Sequence, residues 1–587
     1  MLIYFFSGAC SLIDEVIWVR LLKLTIGNTV YAGSIVVSVF MGGLALGALI
    51  MSRYADSTGR KLRLYAILEL LITVSALLMP WALRLADKGY RWFFLSYGIS
   101  TGALMTVQFL VSAVLLLIPT VLMGSTLPLL GRYVTSLEHR VGHLVGRLYA
   151  LNTLGAAMGC FLAGFVLIRA VGIMGTLYIA ATMNLLVACG GWLLSRKHDE
   201  PEVQAAEFKE GQVEATELAK LAVARQYMLL AACFLSGLVS IGYELIWMRS
   251  IALPLGGYTY VFSAVLTVYL VGNVAGAWAG SRISKRLGNP GLGFGLSLAC
   301  LGLLGILYIP WFNYWFRVLR NTGLVGGLVA GVTASGIRFA AEPMVHSIPM
   351  FLLPAIVMGI GFPLALQAWA GFRHKVGLTT GTIYGFNTIG AVIGGVATGF
   401  LLIPQLGVQA SMTVLALAAV WLGVLVVKTF DSRKGVAVRV CGAAAIVILT
   451  VAAFTIPQDI FKRSVEETYS GAAIHIEEGT TTTVGVIKKP DGSRAMAIDH
   501  IEMAGDDIHR SAQKTLGHLA ALLHGDPQEV LSFGFGCGET VTCLSRHDLD
   551  RLDCVEIAPE VTRVALEYFD HINLGEKLGR YVNMIHM

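Results

Sequence analysis

The sequence predicts a mainly α-helical, polytopic membrane protein of two parallel six-helix repeats plus about one extra helix. A C-terminal region follows, made of a small β domain and a truncated α/β domain. Three observations predict this. Apolar residues make up 56% of the 587 positions and charged residues only 14%, with a mean hydropathy of +0.71, which excludes an ordinary soluble protein of this length. Apolar runs of roughly 20 residues recur, enough to cross a hydrocarbon core of about 30 Å. A long segment also returns within the chain at a fixed spacing, the mark of an internal repeat.

The repeat begins with FFSGACSLIDEVIWVR (5–20), which returns as FLSGLVSIGYELIWMR (234–249). Ser7-Gly8, Glu15, Trp18 and Arg20 match Ser236-Gly237, Glu244, Trp247 and Arg249 at an offset of 229 residues. Later, PTVLMGSTLP (119–128) matches PAIVMGIGFP (354–363), and GRLYALNTLGAAMG (146–159) matches GTIYGFNTIGAVIG (381–394), both at an offset of 235.

Each half holds about six spans, read near 3–25, 30–52, 63–87, 103–131, 146–169 and 171–194, then near 228–252, 257–281, 291–316, 343–370, 377–403 and 407–427. Basic residues cluster after even-numbered spans: Arg53, Arg60, Lys61 and Arg63; Arg132, Arg140 and Arg147; Arg196 and Lys197; Arg282, Lys285 and Arg286; Arg373 and Lys375. The excess of Lys and Arg in cytoplasmic loops places the N-terminus in the cytoplasm and the two halves in parallel orientation. The segment 440–456 reads as a thirteenth span, near the lower length limit for crossing. Thirteen spans place the C-terminal region outside the inner membrane, and an interfacial 440–456 keeps it inside; the count favours the outside.

The domains divide as 1–196, first repeat; 197–225, polar cytoplasmic linker; 226–430, second repeat; 431–460, additional membrane helix; 461–505, small β domain; and 506–587, partial α/β domain. No cleavable signal peptide is visible at the N-terminus. Nine scattered cysteines form no CxxC pair, so neither a metal site nor a disulfide framework is expected. The net charge of +6 sits in short loops where membrane topology uses it, and no nucleic-acid partner is implied. The partner implied by composition is the lipid bilayer.

Ionisable residues at membrane depth are costly and mark either a pathway or a structural pair. Glu15 and Glu244 occupy matching positions, each followed five residues later by Arg20 or Arg249, so pairing within the fold competes with a transport role. Glu69 has no acidic counterpart, since Leu298 stands 229 residues on, which makes it a candidate for function. Asn152 and Asn387, flanked by small residues, are expected to hydrogen-bond between closely packed helices.

In the C-terminal region, AAIHIEEG, TTVGVIKK and RAMAIDH read as strands, and a helix is expected over 508–524. Next come VLSFGFGCGET (530–540) and LDCVEIAPEV (552–561): strand, glycine loop, helix start, and a second strand ending in an acid. Gly534, Gly536 and Gly538 let the backbone turn tightly and approach a ligand. Glu556, at the tip of the next strand, is placed to accept hydrogen bonds from a ribose diol. YVNMIHM, ending at Met587, reads as a third strand, so the expectation is a sheet that a continuing chain or a partner chain would complete.

The two parallel six-span halves resemble the layout of major facilitator transporters, and YADSTGRKLRL (54–64) resembles that superfamily's signature between its second and third spans. The order of elements after residue 465 resembles spermidine synthase, most closely the bacterial membrane-fused members of that family. The resemblance implies a Rossmann-like, methyltransferase-type domain in which Gly534, Gly536, Gly538 and Glu556 bind the nucleoside of decarboxylated S-adenosylmethionine or S-adenosylmethionine. It also implies an acidic pair near Asp506 and Asp507. That family's Tyr-His-Glu triplet aligns with Ala512, Gln513 and Lys514, so those side chains are not retained. Its catalytic Asp comes after a fourth strand, beyond Met587, so no catalytic residue is assigned. The expected function is therefore a membrane-anchored, aminopropyltransferase-like protein, incomplete or non-catalytic as this chain alone. The alternatives are a transporter of amines or other small solutes, or a scaffold subunit of a larger membrane complex.

Overall fold

The computed structural model describes residues 2–26, 30–97, 101–135, 141–198, 217–255, 259–316, 338–370 and 376–431. In the C-terminal region it describes 466, 471–479, 482–498, 501–506, 508–573, 575, 579 and 582–586. The described membrane part consists of α1 (Leu2–Ile26), α2 (Val30–Tyr54), α3 (Lys61–Tyr97), α4 (Thr101–Thr135), α5 (Val141–Phe161) and α6 (Ile168–His198). It continues with α7 (Glu217–Leu255), α8 (Thr259–Arg286), α9 (Pro290–Tyr314), α10 (Arg338–Ala370), α11 (Val376–Ala397) and α12 (Ile403–Phe430). By length and composition, nine apolar stretches among the described residues suit a membrane crossing; two of these, Leu144–Arg196 and Leu378–Phe430, each run through two helices. The outer face of α3 carries Leu70, Leu71, Val74, Leu77, Leu78 and Trp81, all exposed, as expected of a helix that meets lipid rather than water.

Two departures from the expected boundaries have local causes. Helix α7 begins at Glu217, inside the segment read as linker, because ELAKLAVARQ is rich in strong helix formers that give no apolar-run signal. Helix α3 continues to Tyr97, ten residues beyond the apolar stretch that announced it. The expected thirteenth span, 440–456, lies outside the described residues, as does most of the linker.

Small residues set the helix spacing. A Cβ at Gly155 would lie 1.8 Å from the Phe5 carbonyl oxygen, and one at Gly390 1.8 Å from that of Phe234, so α1 meets α5 and α7 meets α11 backbone to backbone. At both contacts an asparagine ties the helices. Asn152 donates its side-chain amide to the Tyr4 carbonyl at 3.0 Å, and Asn387 donates to the Cys233 carbonyl at 3.1 Å. Both asparagines therefore do what their flanking small residues predicted.

A π-helical turn joins α5 to α6 (Leu162–Leu167) and another joins α11 to α12 (Thr398–Leu402). Each is followed by a left-handed glycine, Gly172 (φ 73°) and Gly407 (φ 77°), that bends the following helix. Across the middle of the bundle α5 packs on α8, with the Cys160 thiol 3.8 Å from the Ser263 carbonyl. Helix α2 packs on α11, where a Cβ at Gly381 would meet Ser52 at 2.2 Å. In the loop after α2, Asp56 pairs with Arg132 of α4 at 3.1 Å and accepts from the Leu378 amide of α11 at 3.1 Å.

The C-terminal region forms two sheets on one core. Strands β1 (Ala472–Glu478), β2 (Thr483–Lys488), β3 (Arg494–Ile498) and β4 (Ile501–Gly505) make an antiparallel sheet in chain order. Helix α13 (Ile508–His524) follows with the predicted bounds, then β5 (Glu529–Phe533), α14 (Glu539–Leu544), β6 (Arg551–Glu556), α15 (Pro559–Tyr568) and β7 (Asn583–His586). Strands β5, β6 and β7 are parallel, in that order. Val484, Val486, Met496 and Ala504 of the first sheet pack with Phe535, Val541, Leu552, Cys554 and Phe569 around the second. Sequence reading missed β4, because IEMAG lacks the alternating β-branched pattern and is held by its pairing with β3.

Candidate functional site

The glycine loop runs from the end of β5 into α14. Gly534, Gly536 and Gly538 all have positive φ (81°, 55° and 87°), a region that L side chains seldom enter. A Cβ at Gly534 would meet nothing within 4 Å, and one at Gly536 only Ala504 at 3.5 Å, so the outer side of the turn is open to a ligand. Gly538 serves a different purpose: a Cβ there would lie 2.6 Å from Asn573 and 2.8 Å from Phe535. Asn573 braces the loop from behind, donating to the Cys537 carbonyl at 3.2 Å and the Ala565 carbonyl at 2.8 Å.

Glu556 ends β6 beside this turn and is buried. Its Oε2 accepts from the Phe535 amide at 2.7 Å and its Oε1 from the Ala558 amide at 3.0 Å. Its first task is thus to hold the loop and the start of α15. Each carboxylate oxygen keeps a lone pair, so a hydroxyl donor can still be accepted. Gly534 closes the unit from the other side, donating its amide to the Val555 carbonyl at 2.8 Å.

The flanks hold polar pairs that spacing alone did not reveal. Buried Glu539 accepts from Arg510 of α13 at 3.1 Å, and Lys514 stands 3.8 Å from its other oxygen. The Cys537 thiol lies 2.9 Å from Gln513 Oε1. Asp506 accepts from the Arg494 amide at 2.5 Å and lies 2.8 Å from His571 Nε2; Asp507 is outside the described residues. Burial, reinforced by the neighbouring Glu556 charge, pushes the Cys554 thiol up to about 11, and burial also raises Cys537, so both are neutral near pH 7.

In the membrane part Glu15 does not pair with Arg20, nor Glu244 with Arg249. Arg249 turns away from Glu244 and donates to the Gly479 carbonyl and the Thr483 hydroxyl of the β domain, each at 2.9 Å. Arg20 is half-buried, with its Nε unpartnered. The reason is geometric: residues five apart on a helix do not share a face. Glu69 accepts from Ser7 at 2.6 Å, and its second oxygen is unpartnered. Asp14 escaped the sequence reading. It is fully buried with both carboxylate oxygens unpartnered, and its counterpart 229 residues on is Tyr243. An acid beside Glu15 in an apolar run without an acidic counterpart was the available signal.

Among known proteins, the family described as Major Facilitator Superfamily matches residues 1–337. The curated relatives include polyamine aminopropyltransferase 2 of Streptomyces coelicolor, 25% identical over 354 residues that cover 58% of this chain and 59% of the relative. Another, a polyamine aminopropyltransferase of Mycobacterium tuberculosis, is 23% identical over 59% of this chain and 62% of its own length. The chain thus spans about three-fifths of the curated relatives it matches. Among solved structures, spermidine synthase in complex with the transition-state analogue AdoDATO aligns at 22% identity and a TM-score of 0.19, covering 19% of this chain and 40% of that one. The fucose:proton symporter of E. coli aligns at 15% identity and a TM-score of 0.43, covering 73% of this chain and 98% of that one.

Proposed function

This chain belongs to the Major Facilitator Superfamily, and from that premise we propose that it is a multi-pass membrane protein of two parallel six-helix halves carrying a spermidine synthase-like, aminopropyltransferase-like domain. The single observation that carries the second part is the loop of three positive-φ glycines, tied to the acid that ends the next parallel strand. That arrangement supports a Rossmann-like nucleoside site in which Gly534 and Gly536 admit the ligand and Glu556 receives its ribose. The substrate class is decarboxylated S-adenosylmethionine or S-adenosylmethionine. A bound sulfonium nucleoside would supply an electrophilic carbon next to sulfur; this chain's own residues bind and orient it.

A complete transferase needs more of the sheet. Among the described strands β5 pairs with β6 alone, and Leu531 and Phe533 on it are 51% and 79% exposed. An open edge with an apolar face supports completion by further polypeptide, from a continuing chain, a partner chain or a larger membrane complex.

Arg249 supports an extracytoplasmic position for the domain in the inner membrane. It lies in the last third of α7, towards the membrane face opposite the basic residues that end α2 and α8, Arg53 and Lys285-Arg286. An impermeant thiol reagent applied to intact cells, with a cysteine introduced at exposed Asp548, reads this orientation directly.

The function itself is tested by equilibrium binding of decarboxylated S-adenosylmethionine to the native membrane protein with everything that co-purifies. Saturable binding, lost on Gly536→Val, is the expected result; no binding to the native assembly would remove the nucleoside reading.

A further inference from the structure

The turn between β1 and β2 is held from two sides. On its membrane side Arg249 of α7 donates to the Gly479 carbonyl and the Thr483 hydroxyl, each at 2.9 Å, and β1 lies against α12. On its other side the Thr482 amide donates to Glu560 Oε1 at 3.1 Å. The Gly479 amide closes the turn by donating to the Thr482 carbonyl at 2.9 Å. A Cβ at Gly479 would lie 2.0 Å from Glu560 Oε1, so turn and carboxylate are in direct contact with no room for a side chain. Glu560 is buried in the first turn of α15.

Helix α15 is fastened to the β domain along its length. Arg563 pairs with Glu477 of β1 at 2.7 Å, and the Tyr568 ring stacks on His475 of β1 with centroids 5.0 Å apart. Arg494 of β3 donates to the Tyr568 carbonyl at 2.6 Å. Ala558, the residue before this helix, donates to Glu556 Oε1, while Glu556 Oε2 accepts from Phe535 in the glycine loop. Hydrogen bonds and short covalent steps therefore run from a membrane helix through the turn, Glu560 and Glu556 to the loop. We propose that Arg249 is a positioning residue for the nucleoside site. Through the 479–483 turn and Glu560 it sets where Glu556 and the glycine loop stand, so α7 and a ligand at the loop respond to each other. The inference rests on the nucleoside reading of that loop. Coupling between two sites is reciprocal: the Arg249 bonds raise affinity for the nucleoside, and the nucleoside strengthens those bonds. A plain tether would keep the domain near the membrane and leave affinity untouched.

The test uses the full chain, with everything that co-purifies, in lipid nanodiscs and with decarboxylated S-adenosylmethionine as probe. In the natural protein, which requires no variant to fold, the nucleoside should slow amide exchange in two places: the glycine loop, 534–538, and the end of α7, 250–253. Arg249→Ala should weaken binding roughly fivefold or more, the lower range of coupling between sites, and confine the slowed exchange to the loop. Arg249→Lys should restore part of the affinity. Glu560→Ala should also weaken binding, and in that background Arg249→Ala should add nothing, because the two act in series. Unchanged affinity in folded Arg249→Ala protein, additive losses in the double variant, or α7 exchange indifferent to bound nucleoside would each overturn the proposal and leave the nucleoside site standing. Failure of the natural protein to bind the nucleoside would remove the site itself, and the positioning role with it.

Discussion

The guanidinium of Arg249 donates to the carbonyl of Gly479, reaching from a membrane helix to the turn between the first two strands of the β domain. A second bond from the same nitrogen reaches the Thr483 hydroxyl. Arginine suits this task because a terminal guanidinium nitrogen carries two N–H donors on a rigid, permanently charged plane. Hydrogen bonds from a charged donor contribute about 1.5–3 kcal/mol. Arg249→Ala should therefore speed amide exchange in 483–488 more than tenfold while the α7 amides stay protected. Arg249→Lys should recover only part of that protection. Exchange that does not change would mean the domain is held elsewhere.

Glu556 gives a second expectation. Glu556→Ala leaves the Phe535 and Ala558 amides buried without acceptors, at a cost of about 2–6 kcal/mol for the two. The C-terminal region should unfold at lower urea, with the membrane helices unaffected. Glu556→Gln keeps one acceptor oxygen and should fall between the alanine variant and the natural protein. Equal midpoints for all three would show that the loop does not depend on this carboxylate.

The Cys554 thiol sets a pH dependence. Its ordinary value near 9 is raised to about 11, chiefly by burial and then by the Glu556 charge. Below pH 9 the thiol is protonated in both folded and unfolded chains, and its contribution is fully present. Between 9 and about 11 the unfolded chain ionises while the folded one does not, so stability falls as pH rises. Cys554→Ala should flatten that alkaline decline, measured as the unfolding midpoint of the C-terminal region at pH 8, 9 and 10. A decline of the same steepness in the variant would assign it to other groups.

Helix contact through glycine can be tested by adding one carbon. Gly155→Ala and Gly390→Ala place a methyl 1.8 Å from a carbonyl oxygen of the facing helix, and both should sharply lower the yield of folded protein. Gly89→Ala, in α3 with nothing within 4 Å, should be tolerated or slightly stabilising. Fluorescence-detected size exclusion separates these outcomes.

Periodicity and repetition made the helices legible, because a membrane span needs length and apolarity, both of which can be read locally. The three glycines and the strand-end acid were legible for the same reason: each answers a backbone demand within a few residues. The partners of the charged groups were not. Glu15 and Arg20 look like a pair when written on a line, yet Arg249 finds its acceptors some 230 residues away. Asp14 was hidden by its neighbour Glu15, whose doubled occurrence drew the attention, although both members of the adjacent acidic pair are buried. Strand β4 depended on β3 for its existence, and no local pattern encodes a partner.

Asn152 and Asn387 hold equivalent helix pairs by equivalent bonds. A chain that makes the same joint twice carries its own experimental control. Asn→Ala at one joint can be compared with Asn→Ala at the other in the same membrane, at the same expression level and with the same detergent history. Where the two damages agree, the joint is scaffold. Where they diverge, the difference measures how unequally the two joints are loaded.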